Sequence, residues 1–149
     1  MNEFFLSTYI NKIDPKGRVS LPSSFRTILN TNNTDNVIIF KSLTKQCLEG
    51  CSVNYLREFD NIINQLDPLS YEKDSFLTTI FGDSVQINFD QDGRIVINKK
   101  YLDYANIKDN ALFVGKGKTF EIWNSDIFNV YSENCRKFAI ENFKLLKNK

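Results

Sequence analysis

Apolar and polar positions recur along the chain in patterns that predict short strands and helices. Val19 and Leu21 flank a serine, and this alternation predicts a strand with one buried face. Apolar residues spaced by one and three positions predict an amphipathic helix over 55–66, which the Asp-Pro pair at 67–68 ends. Apolar runs predict further short strands at 37–40 and 111–114, and a second short strand is expected after each of them, around 46–49 and 120–123.

Other segments carry a helical or a loop pattern. The remaining predicted helices cover 23–29, 71–81 and 125–146. The first of them follows Pro22, whose missing N–H is tolerated at a helix start. The last places Tyr131, Phe138 and Phe143 among its apolar residues, more apolar surface than a monomer should expose. The Asn-rich segment 30–36 is expected to be a surface loop.

One short motif occurs twice in the chain. The string at 14–21 recurs at 90–97, 76 positions later, with Asp, Gly and Arg identical in both copies. Each copy predicts a tight turn in which Gly17 or Gly93 takes the positive-φ position of a three-residue hairpin loop. Similar strands and helices follow both copies, so two copies of one supersecondary unit fill the chain. The predicted units are 1–70 and 71–149.

The composition of the chain then excludes several classes of function. With 42% hydrophobic and 25% charged residues, the chain is typical of a globular protein, with one domain or two small lobes sharing a core. Because it contains no histidine, a Ser-His-Asp triad and a His-ligated zinc site are excluded. No apolar run is long enough to span a membrane and no signal peptide is recognisable, so we expect a cytoplasmic protein.

The cysteines and carboxylates do not indicate an enzyme. The odd set of Cys47, Cys51 and Cys135 is a poor disulfide framework and lacks the further ligands a zinc site needs, so buried or inert thiols are expected. Asp14 and Asp90 are the obvious paired carboxylates, but each lies in a turn beside an arginine. We expect no catalytic residue, no metal, no cofactor and no small-molecule substrate.

Charge is distributed unevenly although the net charge is only +1. The stretch 8–26 has four basic residues against one acidic residue, whereas the matching stretch 84–102 has three against two. If either unit contacts nucleic acid, the first is favoured. The alternative for the repeated arginine is a purely structural role, in which Arg18 only pairs with Asp14 across an exposed turn.

The first motif, followed by Phe25 and Arg26, resembles the D-x-K-G-R-h-s-h-P-x-x-h-R pattern of the MraZ family, where h is apolar. The second motif with Tyr104-Ala105 after it, the pair Cys47-Leu48 and the stretch from Gly115 to Asn124 also resemble that family, so the similarity covers essentially the whole chain. Two departures are Asn98, where the family often has proline or a small residue, and the segment 71–82, which lacks the family's arginines.

The resemblance implies an α+β fold of two tandem AbrB-like β-hairpin and helix units that form a small swapped-hairpin β-barrel with flanking helices. It also implies a ring-shaped homo-oligomer that binds repeated promoter elements of double-stranded DNA upstream of the bacterial division and cell-wall gene cluster. Such a transcriptional regulator would be nucleoid-associated. The family's D-x-x-x-R hairpin maps onto Asp14 and Arg18. Together with the local charges, the expected DNA-binding residues are Lys12, Asp14, Lys16, Gly17, Arg18, Arg26 and Arg94.

A different function class stays open. Related swapped-hairpin antitoxins bind a protein partner through flanking segments, so the chain could be a protein-interaction module without direct DNA readout. Against this, both units are complete by residue 124 and only one predicted helix follows. Retention on duplex DNA separates the two hypotheses.

Overall fold

The computed structural model describes residues 4–30 and 35–147, so part of the predicted Asn-rich loop, 31–34, lies outside the described residues. The strands are β1 (Thr8–Lys12), β2 (Arg18–Ser20), β3 (Asn36–Lys41), β4 (Leu48–Cys51), β5 (Val85–Asn88), β6 (Arg94–Val96), β7 (Asn110–Gly115) and β8 (Phe120–Trp123). The helices are α1 (Ser23–Asn30), α2 (Val53–Ile63), α3 (Tyr71–Phe76), α4 (Lys99–Tyr104), α5 (Ser125–Glu141) and α6 (Lys144–Lys147), with a π-helical turn at Leu77–Phe81 after α3.

The order of elements repeats, as the duplicated motif predicts. The succession β1-β2-α1-β3-β4-α2 recurs as β5-β6-α4-β7-β8-α5, with α3 and the π-helical turn between the copies. The predicted strand at 46–49 begins two residues later than expected, at Leu48. The Ser42 hydroxyl accepts the Lys45 N–H at 3.2 Å, and Ser42 N–H donates to the Cys47 carbonyl at 3.0 Å, so the loop before β4 extends to Cys47.

Strands of the two copies pair with each other in one antiparallel sheet of order β1-β7-β8-β4-β3-β5. The first strand of each copy pairs with the third strand of the other, β1 with β7 and β5 with β3. The fourth strands, β4 and β8, meet at the centre of the sheet, where Glu49 lies opposite Glu121. The two sequence repeats therefore share a single sheet.

The second strands form a separate two-stranded antiparallel ladder, β2 with β6. Two equivalent backbone bonds flank it: Leu21 N–H donates to the Gly93 carbonyl at 3.1 Å, and Ile97 N–H donates to the Gly17 carbonyl at 2.9 Å. Because these two bonds join corresponding positions of the two repeats, the ladder lies on an approximate two-fold axis. This ladder carries both copies of the repeated motif.

The described strands do not form the closed barrel implied by the resemblance. The six-stranded sheet is open, with β1 and β5 as its edges. The second strands pair with each other and not with the first strands of their own hairpins, so the sheet stays open at both edges. In the first hairpin, Asp14 N–H closes the turn on the Arg18 carbonyl, and the next contact is made by a side chain, with Asn11 donating to the Ser20 carbonyl at 2.7 Å.

Aromatic rings from several elements fill the core between the sheet and the ladder. The ring centroids of Phe5 and Phe25 are 5.2 Å apart, and those of Phe25 and Phe120 are 5.0 Å apart. Val19 and Ile95, from the inward side of the ladder, are buried in the same cluster. The core thus holds the ladder against the sheet and orients its other face outward.

An ion pair between a buried glutamate and a partly buried lysine also joins the two repeats. The Glu121 carboxylate accepts hydrogen bonds from the Lys45 ammonium at 3.0 Å and from the Trp123 indole N–H at 2.9 Å. Burial alone would lower the pKa of Lys45, but the Glu121 carboxylate outweighs it and the pKa is raised. The pair fixes the loop after β3 against β8.

The C-terminal helical segment differs from its prediction in two ways. It is broken between α5 and α6, at Asn142, whose N–H and side-chain amide both donate to the Phe138 carbonyl. Tyr131 stacks on Trp123 with ring centroids 4.9 Å apart, so it packs on its own sheet instead of facing solvent. Phe138 and Phe143 are exposed, as expected.

The cysteines divide into buried and exposed thiols. Cys47 and Cys51 are fully buried, and burial raises the pKa of each thiol to about 12. These two are therefore protonated and inert, as expected. Cys135 on α5 is exposed, because α5 packs on the sheet through its first turns, where Phe128 and Tyr131 contact Trp123.

Candidate nucleic-acid interface

The Asp14 carboxylate organises the first hairpin turn. One oxygen accepts the backbone N–H groups of Lys16 and Arg18, both at 2.9 Å, and the other accepts Arg18 Nε–H at 2.7 Å. The pKa of Asp14 is lowered, first by the Arg18 backbone N–H and then by the Arg18 side chain. Gly17 has φ of +83°, which confirms the predicted positive-φ position. The turn is thus fixed by one charged group.

Pairing with Asp14 does not bury Arg18. The bond uses Nε, so the two terminal nitrogens of the guanidinium are not needed for it, and 44% of the side chain is exposed. A structural role for Arg18 as the partner of Asp14 is therefore compatible with a functional role in DNA contact. Asp14 bonds the arginine through Nε, so this bond leaves the two terminal nitrogens for a contact with guanine.

The second turn has the same plan with one important difference. Asp90 accepts the backbone N–H groups of Asp92 and Arg94 and the Arg94 Nε–H at 3.0 Å, and Gly93 has φ of +77°. Asp92 occupies the position of Lys16 and accepts a further bond from the Arg94 terminal nitrogen at 3.1 Å. Arg94 is therefore engaged by two carboxylates where Arg18 is engaged by one.

The β2–β6 ladder brings both arginines to one surface. Arg18 lies opposite Val96 and Ser20 lies opposite Arg94, and these four residues face outward because Val19 and Ile95 between them face the core. A depression of about 430 Å³ connects the two arginines and Ser20 with other expected site residues. Its lining includes Lys12, Asp14, Arg18 and Arg94. Spacing along the chain alone does not reveal this convergence, because it depends on pairing between the repeats.

The other expected site residues lie around this surface or apart from it. Lys16 is exposed at the turn, while Gly17 is buried where its carbonyl bonds Ile97 N–H. Arg26 lies in a different depression, of about 350 Å³, beneath the second turn. Its guanidinium occupies the space that a side chain on Gly93 would need, and its Nε has no hydrogen-bond partner among the residues that the structure describes.

Other chemistries find little support in the described parts of the chain. In 4–30 and 35–147, no group of three or more Cys, Asp and Glu residues is placed to hold a metal ion. Over the same residues, no helix combines the length and the apolar character needed to cross a bilayer. The segment 71–82, where the family's arginines are missing, forms α3 and the π-helical turn, and its only basic residue, Lys73, has acidic neighbours on both sides.

Comparison with known proteins gives a consistent result. The model of a family described as "MraZ protein, putative antitoxin-like" matches residues 80–144. The transcriptional regulator MraZ of Rickettsia rickettsii (strain Sheila Smith) is 40% identical over 144 residues, 97% of each chain. The proteins of the same name from Rickettsia canadensis (strain McKiel) and Rickettsia bellii (strain OSU 85-389) are 38% identical over 144 residues and 39% identical over 145 residues. They also cover 97% of each chain, so the similarity includes both repeated motifs.

Proposed function

The chain belongs to the MraZ family, and on that premise we propose that it is a sequence-specific DNA-binding transcriptional regulator and not an enzyme. The observation that carries the proposal is the β2–β6 ladder, which presents Arg18 and Arg94 on one outward face beside Lys12. Its targets are repeated promoter elements of the division and cell-wall gene cluster. The protein would then act in the cytoplasm, on the nucleoid.

The ladder suits the major groove of DNA. That groove admits a two-stranded antiparallel ribbon, and an arginine there can bond guanine O6 and N7 together. We assign this role to Arg18. Lys12 and Lys16 would bond phosphates, which position the ribbon without reading sequence. Asp14 and Gly17 shape the turn, and Arg26 supports the second turn.

The strand exchange supports an AbrB-like plan for the proposed units, 1–70 and 71–149. Each unit contributes its first strand to a pair with the other unit, β1 with β7 and β5 with β3, and its second strand to the shared ladder. This is the exchange expected of swapped hairpins, and it makes one chain equivalent to a dimer of single units. Neither unit then has a complete sheet by itself.

Assembly into a ring would compensate for weak binding by one chain. With a net charge of +1, a single subunit gains little from long-range attraction to DNA. Several linked ladders facing repeated elements gain affinity through effective concentration. Exposed apolar residues of α5, α6 and the link between them offer a subunit contact: Val130, Phe138, Ile140, Phe143, Leu145 and Leu146.

Light scattering after size exclusion tests the assembly. At micromolar concentration we expect a monodisperse species of more than two subunits, and we expect Phe138→Lys to reduce its mass because a charge would enter an apolar contact. Ile62→Lys on α2 is a matched control, since Ile62 and Phe138 are both 62% exposed. A wild-type monomer would contradict the ring, and equal loss in both variants would contradict the assignment to α5.

The alternative is an antitoxin-like protein-interaction module, which the wording of the matching family model favours. An electrophoretic mobility shift at moderate salt separates the two functions. The probe is a duplex of the protein's own upstream region, and the control is the same duplex with its sequence shuffled. We expect retention of the first at concentrations that leave the second free. Equal or absent retention of both duplexes would overturn specific DNA binding.

A further inference from the structure

Val96 is an unusual residue on the outward face of the ladder. The ladder's other outward residues are the polar Arg18, Ser20 and Arg94, whereas Val96 is an apolar side chain that is 52% exposed. The inward residues Val19 and Ile95 are each 1% exposed. They bury the inner face of the ladder without a contribution from Val96. The inner face of the ladder therefore does not require an apolar side chain at this outward position.

The register places Val96 directly opposite Arg18. Side chains at such positions of an antiparallel pair have Cβ atoms about 4.5–5.5 Å apart, and both project from the same face. This separation lies between one and two base-pair steps of about 3.4 Å each. A base edge bonded by Arg18 would thus have its neighbour within reach of Val96.

We propose that Val96 is a base-reading residue that contacts the C5-methyl group of a thymine next to the base bonded by Arg18. The proposal rests on the DNA-binding function proposed above and names a specificity determinant of that same site. The thymine methyl is the apolar feature of the major groove, and aliphatic side chains recognise it by direct contact. The Val96 methyl groups stand on the face that the ribbon would turn to the groove.

The two halves of the ladder then differ in how strongly they discriminate between bases. Arg94 lies opposite Ser20, whose hydroxyl both donates and accepts and so discriminates poorly between bases. Arg94 is also bonded to two carboxylates, those of Asp90 and Asp92. The Arg18–Val96 half therefore carries the sequence preference, and the Arg94–Ser20 half carries little of it.

Single replacement of thymine by deoxyuridine tests the contact, because deoxyuridine lacks only the C5-methyl group. The probe is a duplex selected by the wild-type protein from a random pool, with each thymine replaced in turn. We expect one thymine per bound ladder, the one facing the Arg18–Val96 half, at which the replacement weakens binding about fourfold, the effect of one methyl group removed from water. We expect Val96→Ser to bind the thymine and deoxyuridine duplexes equally.

Ser20→Val is the matched control, because it changes the equivalent position of the other half and should retain the original thymine preference. If Val96→Ser proves unstable, the deoxyuridine series with the wild-type protein still tests the contact, because it needs no variant. If no deoxyuridine replacement changes the affinity of the wild-type protein, the contact is overturned. A preference that persists in Val96→Ser overturns its assignment to Val96. If the pool yields no bound duplex, the proposed function fails and the contact with it.

Discussion

Arg18→Ala should abolish specific retention of the upstream duplex while the fold and the oligomer stay intact. Removing one bidentate bond to guanine costs about 1–3 kcal/mol per engaged subunit, and this cost recurs at every ladder on the DNA. The turn should persist, because alanine retains the backbone N–H of residue 18, which donates to the Asp14 carboxylate at 2.9 Å. Mobility shift, circular dichroism and light scattering on the same preparation measure the three properties.

Arg94→Ala is the matched control on the same surface. We expect a smaller decrease in affinity, because Arg94 is already bonded to Asp90 and Asp92 and the second turn has a carboxylate where the first has Lys16. Salt dependence separates the turns independently. Lys16→Ala should flatten the log–log slope by about 0.9 for each phosphate that the lysine neutralises, and Arg94→Ala should leave the slope nearly unchanged.

Two outcomes would contradict this assignment. If Arg18→Ala unfolds the protein, Arg18 is mainly a structural partner of Asp14. If Lys16→Ala and Arg94→Ala change the slope equally, with both proteins folded and assembled, the second unit also lies on the phosphates. The second outcome is a strong test, because both arginines lie on the outward face of the ladder and this geometry alone would favour equal roles.

Local chemistry explains why the turns were predictable from sequence. Asp14, Gly17 and Arg18 interact within five residues, so their bonds and the positive φ of the glycine follow from the motif itself. The same holds for the helix over 55–66, which the apolar spacing predicts and α2 confirms at Val53–Ile63. Duplication then made the second copy predictable from the first.

Contacts between the repeats were not predictable in the same way. The register that sets Val96 opposite Arg18, and the position of Arg26 beneath Gly93, depend on how the two copies meet and leave no periodic signal. Tyr131 shows the same limit, since helical spacing cannot distinguish a residue stacked on Trp123 from one that faces solvent. Sequence patterns predict which face is apolar, but not what covers it.

Gly17→Ala should produce the largest decrease in stability among single substitutions in the turns. At φ of +83°, any side chain costs about 1–2 kcal/mol of backbone strain. A Cβ atom on Gly17 would also lie 2.5 Å from the Ile97 carbonyl oxygen. The Ile97 backbone belongs to the crossing of the two repeats and cannot move without the ladder, so overpacking adds about 1–3 kcal/mol.

Substitutions at two other glycines separate the backbone strain from the overpacking. Gly117 has φ of +84°, and a Cβ atom there would meet no described atom within 4 Å, so Gly117→Ala should show the strain alone. Gly93→Ala would meet the Arg26 guanidinium, the end of a flexible side chain that can swing aside, so its effect should fall between the other two. Urea unfolding at equal protomer concentration gives the ranking. Equal destabilisation by Gly17→Ala and Gly117→Ala would show that the close approach to Ile97 contributes nothing, and that the ladder is not held by this crossing.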